Sequence, residues 1–385
     1  MVMPVMKGGG AERVASLLMN EFHRCGHEVE FALTSSTPEE VVRTDLSKEI
    51  PLSFLQEQGT RKGLRVISSI ICRIFEAFKM PVPAYAAYLS FISEYSSEIK
   101  QLHQKLKENP DMTVIAFLQP SIPMTVLAAR GLPNRVIISE RGNPERLMKK
   151  RYGEKFIQKY YTQIIAAVFQ TREAQDAYPE NVREKGVVIS NPIKSDLPKP
   201  FIGVRNKNIT TFCRISLQKN LPVLIEAYSI LHKEYPEYKL RIIGDALNEE
   251  GKEVQRAIKE QIKQLELEDA VDLLPFSANV HNDIIEDFMY VNSSDYEGIS
   301  IAMLEAMAIG MPVVCTDCPI GGAHATIQNE VNGLLVPVGD AQVMYLAMKQ
   351  IIEDEELAPR LSSNAAKLRE TLSLENIAKQ WMELL

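Results

Sequence analysis

Two carboxylates eight residues apart, Glu297 and Glu305, are the groups in this sequence best placed to grip a polar ligand. Glu297 precedes Gly298 at the mouth of a predicted loop. Residues 299–309 are apolar nearly all round and predict a buried helix, with Glu305 as its only charge. A buried carboxylate needs a partner or a ligand, because leaving it unpaired costs several kcal/mol. At about 1.5 Å of rise per residue, Glu305 lies roughly 8–10 Å deeper along the axis. That spacing suits a ligand with sugar hydroxyls at one end and ribose hydroxyls at the other, and is too long for two carboxyls sharing one proton. The alternative is Glu305 in an ion pair inside the core.

Positive charge follows another predicted strand. Arg214 and Lys219 stand five apart after residues 209–213, where a strand gives way to a helix. Arg offers a fork and Lys a point charge to phosphate oxygens; otherwise they are two solvated residues in a loop. Near the start, Lys7-Gly8-Gly9-Gly10-Ala11-Glu12-Arg13 joins a strand to a helix. Glycines let backbone N–H groups approach an anion at a helix N-terminus, but this text is neither G-x-G-x-x-G nor a Walker A loop. Pro319-Ile320-Gly321-Gly322-Ala323-His324 reads as a second strand, glycine and helix sequence. Cys315 and Cys318 lack the second pair that zinc would need, and the six histidines show no ligand spacing. The sequence therefore predicts no bound metal and no cofactor.

These residues need a scaffold that carries loops at strand ends. Strand signals at 28–33, 113–118, 135–139, 164–170 and 187–189 alternate with helical stretches such as 11–25 and 61–107, the latter interrupted at Pro81 and Pro83. Asn191-Pro192 breaks the run, and it restarts with strands at 209–213, 239–243, 271–274, 288–292, 312–316 and 333–336. Such alternation predicts parallel sheets covered by helices on both faces. Two runs predict two doubly wound α/β domains, with ligand at the carboxyl ends of the strands and in the cleft between domains. Only residues 1–5 are available for a first strand.

The chain has 385 residues, 45% hydrophobic and 24% charged, which excludes disordered, collagenous and coiled-coil classes. The longest apolar run, 66–78, is broken by Arg73 and Glu76 and is too short for a membrane helix. No signal peptide is read in the first residues, and five scattered cysteines make no disulfide framework, so a reducing cytoplasm is expected. Residues 1–190 hold 25 Lys+Arg against 21 Asp+Glu, while 191–385 hold 18 against 29. A basic first half facing an anionic surface is one reading. It is sharpened by Arg141, Arg146, Lys149, Lys150, Arg151, Lys155 and Lys159, with Arg61, Lys62, Arg65, Arg73 and Lys79 near an apolar stripe. A solvated helix face is the other. No aromatic platform accompanies this charge, so no nucleic-acid partner is expected.

The motifs KGGGAERV (7–14), FQTREAQDAY (169–178), VVISNPI (187–193), CRISLQKN (213–220), the run 293–323 and VNGLLVPVGD (331–340) occur in the order found in glycosyltransferase family 4. The chain resembles that family over nearly its whole length, and within it the bacterial enzymes of capsular, exo- and O-antigen polysaccharide synthesis. The resemblance implies the GT-B fold, two Rossmann-like domains facing a cleft. Residues 1–195 would bind the acceptor, 196–370 the nucleotide sugar, and 371–385 would form a helix crossing back to the first domain. It implies retaining, metal-independent transfer from a nucleotide-diphosphate sugar, UDP-sugar foremost, to a glycan or polyprenyl-diphosphate-linked acceptor, with peripheral membrane contact through the N-terminal domain on the inner face of the plasma membrane. Arg214 and Lys219 would hold the diphosphate. Glu297 would meet the donor sugar and Glu305 the ribose. The N–H groups of Gly298, Ile299 and Ser300 would bind phosphate, and Gly9 and Gly10 would line the donor–acceptor junction. Three departures stand out. Cys213 replaces a common Gly. Glu140 and Arg141 stand where many relatives have a His, and are the replacements on the acceptor side. Ala325 stands where many relatives carry Glu. The competing reading is a non-catalytic GT-B subunit of a polysaccharide assembly complex.

Overall fold

Short, wholly apolar strands separated by helices can satisfy their backbone only as inner members of parallel sheets. The computed structural model, which describes residues 1–43, 45–55, 70, 73–75, 77, 78, 80, 83–149 and 153–385, contains two such sheets. Of the positions singled out above, Arg61, Lys62, Arg65, Glu76, Lys79, Pro81, Lys150, Arg151 and the side chain of Arg146 lie outside the described residues. Contacts divide the chain into one unit of Met1–Pro192 with Leu374–Leu385, and another of Ile193–Ser373.

The first unit carries β1 (Val2–Met3), β2 (Phe31–Leu33), β3 (Leu52–Phe54), β4 (Val114–Phe117), β5 (Val136–Ser139), β6 (Ile164–Phe169) and β7 (Gly186–Val188), in the order β3-β2-β1-β4-β5-β6-β7. All neighbours are parallel. β1 has only two residues yet sits between β2 and β4, pairing Val2 with Ala32 and with Ala116. β3 was not expected from the sequence. Its three residues are half-buried at the sheet edge, so no apolar run marks it. The Leu374–Met382 helix packs against the Gly10–Arg24 helix, and it brings Trp381, fully buried, within 6.3 Å of the Phe117 ring.

The second unit carries β8 (Asn208–Phe212), β9 (Lys239–Ile243), β10 (Val271–Leu274), β11 (Met289–Asn292), β12 (Val313–Thr316) and β13 (Leu334–Val336), ordered β10-β9-β8-β11-β12-β13 and all parallel. Alternation along each strand feeds two cores. Met289, Val291 and Val314 enter the core on one face, and Tyr290, Val313 and Cys315 the core on the other. The chain reverses its direction of sheet growth between β8 and β11, where Ile209 faces Met289. In open α/β sheets such a switch point leaves a crevice at the strands' carboxyl ends. The residues that leave β8 and β11 there are 213–220 and 293–300.

Candidate active site

β8 ends at Phe212, and the following loop is held tightly. Cys213 N–H donates to the Ile243 carbonyl and Ile215 N–H to that of Asp245, each at 3.0 Å. A Cβ on Gly244 would fall on the Cys213 carbonyl oxygen, so only glycine allows this approach. Arg214 projects from the loop and is exposed. A 3-10 turn, Leu217–Lys219, and a left-handed Asn220 then open the Leu221–Glu234 helix.

The loop after β11 is stitched to this one. Asp295 N–H donates to the Gln218 carbonyl (2.9 Å), Ser293 Oγ to that of Lys219 (2.8 Å), and Asn220 Nδ2 to Asp295 Oδ1 (2.6 Å). The Glu297 carboxylate accepts from Lys219 Nζ, from Ser294 Oγ at 2.9 Å and from Gln218 Nε2 at 3.2 Å. Lys219 and Glu297 are only 15% and 13% exposed, so their charges meet away from bulk water. Burial opposes the charge on Lys219, but the Glu297 carboxylate outweighs it and leaves the ammonium pKa above its ordinary value. Gly322 packs beneath the loop: a Cβ there would coincide with the Gly298 carbonyl oxygen.

Glu305 is elsewhere in character. The helix expected over 299–309 spans Ile301–Ala308, with Ser300 Oγ accepting from Met303 N–H as its cap. Gly298, Ile299 and Ser300 therefore form the loop that enters the helix. Glu305, 2% exposed, meets His281 Nε2 at 2.9 Å. Spacing concealed this partner, since His281 lies 24 residues earlier, as it concealed Gln218, 79 residues before Glu297.

One expectation changes. Residues 319–324 form turns and no helix, because Ile320 and Gly321 both take positive φ and break helical geometry. His324 Nδ1 instead contacts Asp317 Oδ1 at 2.6 Å. In the first unit, Gly9 caps the Gly10–Arg24 helix, but the Lys7 and Gly9 N–H groups donate to the Glu12 carboxylate. Those two donors serve an internal anion. Glu140 is likewise enclosed, accepting from the Arg141 and Gly142 N–H groups, Tyr178 Oη (2.7 Å) and Gln119 Nε2 (3.1 Å). Arg141 is buried against the Phe117 and Trp381 rings and bonded to Ser139 Oγ and Asn191 Oδ1. Burial lowers its pKa to about 9, with Glu140 opposing. Both residues thus hold the carboxyl end of β5 together.

The thiols of Cys315 and Cys318 are buried, and burial raises the Cys318 pKa to about 11, which fits structural residues. A cavity of about 540 Å³ opens beside the Glu297 loop, lined by Asp295, Asp317, Pro319 and residues 335–338. It includes none of Arg214, Lys219, Glu297 or Glu305.

Residues 195–368 match the family model described as glycosyl transferases group 1. The chain is similar to that family over these residues. It is 24% identical, over all of its own length and 98% of the other, to an uncharacterized glycosyltransferase of Haemophilus influenzae. Over 44% of the chain and 43% of the relative, it is 31% identical to the N-acetylgalactosamine-N,N'-diacetylbacillosaminyl-diphospho-undecaprenol 4-alpha-N-acetylgalactosaminyltransferase of Campylobacter jejuni. Among solved structures, Anabaena Alr3699/HepE in complex with UDP superposes with a TM-score of 0.77 at 19% identity, covering 99% of this chain and 97% of that one. The fold is therefore GT-B, and the glycosyltransferase carries its group 1 match on the unit that holds Arg214, Lys219, Glu297 and Glu305.

Proposed function

We propose that this glycosyltransferase is a retaining, metal-independent enzyme of family 4 type, moving a sugar from a UDP-sugar to a lipid-linked or other glycan acceptor in cell-surface polysaccharide synthesis. The observation that carries the reading is the pair of stitched loops at the β8/β11 switch point, which sets Lys219 against Glu297 with Arg214 beside them. Relatives of matching kind support it: the Campylobacter enzyme is named for a diphospho-undecaprenol acceptor, and the Anabaena structure holds UDP.

In this reading Arg214 and Lys219 face the donor diphosphate, and the loop 298–300 presents N–H groups to it. Glu297 contacts donor-sugar hydroxyls and Glu305 the ribose. The bond from the sugar's anomeric carbon to the phosphate oxygen breaks while the acceptor oxygen bonds to the same face. The acceptor's proton passes to the leaving phosphate. No side chain serves as nucleophile, so rate comes from positioning and from cations that stabilise the growing phosphate charge. That role needs no metal ion.

Calorimetry with the full chain in EDTA tests this. UDP should bind without divalent metal, and binding that appears only with added Mg²⁺ would defeat the metal-free reading. Glu305→Ala should weaken UDP by about 10- to 100-fold, the worth of a hydrogen bond to a charged group. Glu297→Ala should keep or strengthen UDP binding, because Lys219 loses its internal partner, yet impair transfer. Equal loss of UDP affinity in both variants would contradict the separate roles.

Membrane contact would fall to the first unit. Lys155 and Lys159 are exposed on the Glu154–Tyr160 helix, whose Phe156, Ile157 and Tyr160 are buried, and Lys149 is exposed shortly before it. Each basic residue near an anionic surface contributes about 1 kcal/mol. The triple change Lys149→Glu, Lys155→Glu, Lys159→Glu should reduce sedimentation with anionic vesicles at least tenfold while UDP affinity holds. Unchanged sedimentation would return these residues to a solvated face.

A further inference from the structure

The Glu305 carboxylate has a fixed donor that the sequence motifs do not contain. His281 reaches it from the short Val280–Asp283 helix, and the two side chains are almost wholly buried. A carboxylate can only accept, so the imidazole Nε2 carries the proton in this contact. The ring is itself fixed: it stands edge-on to Phe212, centroids 5.7 Å apart at 85°. Phe212 is the last residue of β8, adjoining the loop that carries Arg214, and it packs in turn on Tyr290 of β11. One imidazole thus ties the orientation of Glu305 to both strands of the switch point.

We propose that His281 is a positioning residue that aims the Glu305 carboxylate at the ribose diol of the donor, and that it thereby sets the preference for ribonucleotide over deoxyribonucleotide. This rests on the reading of Glu305 as the ribose contact. A histidine suits the task better than Lys or Arg. The imidazole lends one directed N–H from a ring that packing against Phe212 holds still, where an ammonium is a point charge on a flexible stem. Discrimination between a hydroxyl and its absence is steep when the site's polar group is fixed and would otherwise be left unpaired.

The test measures affinity for UDP and 2′-deoxy-UDP by calorimetry in four variants. Wild type should prefer UDP. His281→Phe keeps a ring but removes the donor; it should weaken UDP by about 10- to 100-fold and 2′-deoxy-UDP, which keeps only the 3′-hydroxyl, by clearly less, so that the preference falls. His281→Asn, too short to reach Glu305, should do the same and carries the test if the Phe variant does not fold. His281→Gln, whose amide N–H reaches the Nε2 position, should restore most of the preference, which a purely structural role for the ring would not allow. An unchanged UDP to 2′-deoxy-UDP ratio in the Phe and Asn variants overturns the proposal. So does equal loss of both ligands with no rescue by Gln. Glu305→Gln separates the layers. If it lowers the ratio while the His281 variants do not, only the role of His281 fails. If it too leaves the ratio untouched, the ribose reading of Glu305 fails, and the pair is a core ion pair.

Discussion

Lys219→Ala should lower turnover by about 10²–10³-fold while raising the donor's apparent KM much less, and Arg214→Ala should act in the same direction. Negative charge grows on the diphosphate as the sugar bond breaks, so a fixed cation binds the transition state more tightly than the ground state. Removing one pre-placed charge donor of this kind costs roughly 3–4 kcal/mol at the transition state. Lys219 is well suited to such a role. Its side chain is only 15% exposed, its loop is pinned by hydrogen bonds from Ser293 and Asp295, and Glu297 keeps its pKa above the ordinary lysine value. A raised pKa means the charge, and any stability it contributes, is present throughout neutral pH and is lost only as pH climbs through the folded-state value. Steady-state kinetics with a UDP-sugar would decide. A pure KM effect would reduce the pair to an anchor for the donor, and no effect in an active chain would mean that the phosphate clamp lies elsewhere.

The fold was far more legible than the partners within the site. Eleven of the thirteen strands among the described residues stand out as apolar runs because parallel strands are buried on both faces, as the uniform burial of β4, β11 and β12 confirms. β1 could be inferred only from the need for a strand before the glycine loop, and β3, three half-buried residues at an edge, left no such trace. Glu297 and Glu305 were visible because carboxylates beside apolar text are rare. What satisfies them was not. His281 and Gln218 arrive from loops and short turns whose position depends on the tertiary fold, and neither periodicity nor spacing reports that. The same limit explains the Gly321-Gly322 segment. Glycines before an apolar stretch suggest a helix N-terminus, but here Gly322 is required by close contact with Gly298, and the backbone turns at Ile320 and Gly321. Spacing also does not report that the terminal helix covers Arg141 with Trp381.

That cover should be costly to remove. Trp381→Ala is expected to destabilise the first unit by about 3–5 kcal/mol, the usual loss for truncating a fully buried Trp, against a total of about 5–15 kcal/mol for a typical domain. The ring is wholly inaccessible, lies 6.3 Å from that of Phe117 and has the Arg141 guanidinium 5.5 Å from its centroid. Its loss would open a cavity beside a buried guanidinium that, among the described residues, has no carboxylate hydrogen-bonded to it, and so would remove dispersion contacts and the cation–π contribution together. Water entering the cavity could hydrate Arg141 Nη2, a buried atom without a hydrogen-bond partner among the described residues, and offset part of that loss. Trp381→Phe should therefore be milder than Trp381→Ala. Urea titration followed by circular dichroism gives the loss from the shift in midpoint at constant slope. In the wild-type chain Trp381 is the sole tryptophan, so its fluorescence marks unfolding of this unit directly. A loss below about 1 kcal/mol, the range of surface changes, would show that the terminal helix does not dock on the first unit in solution.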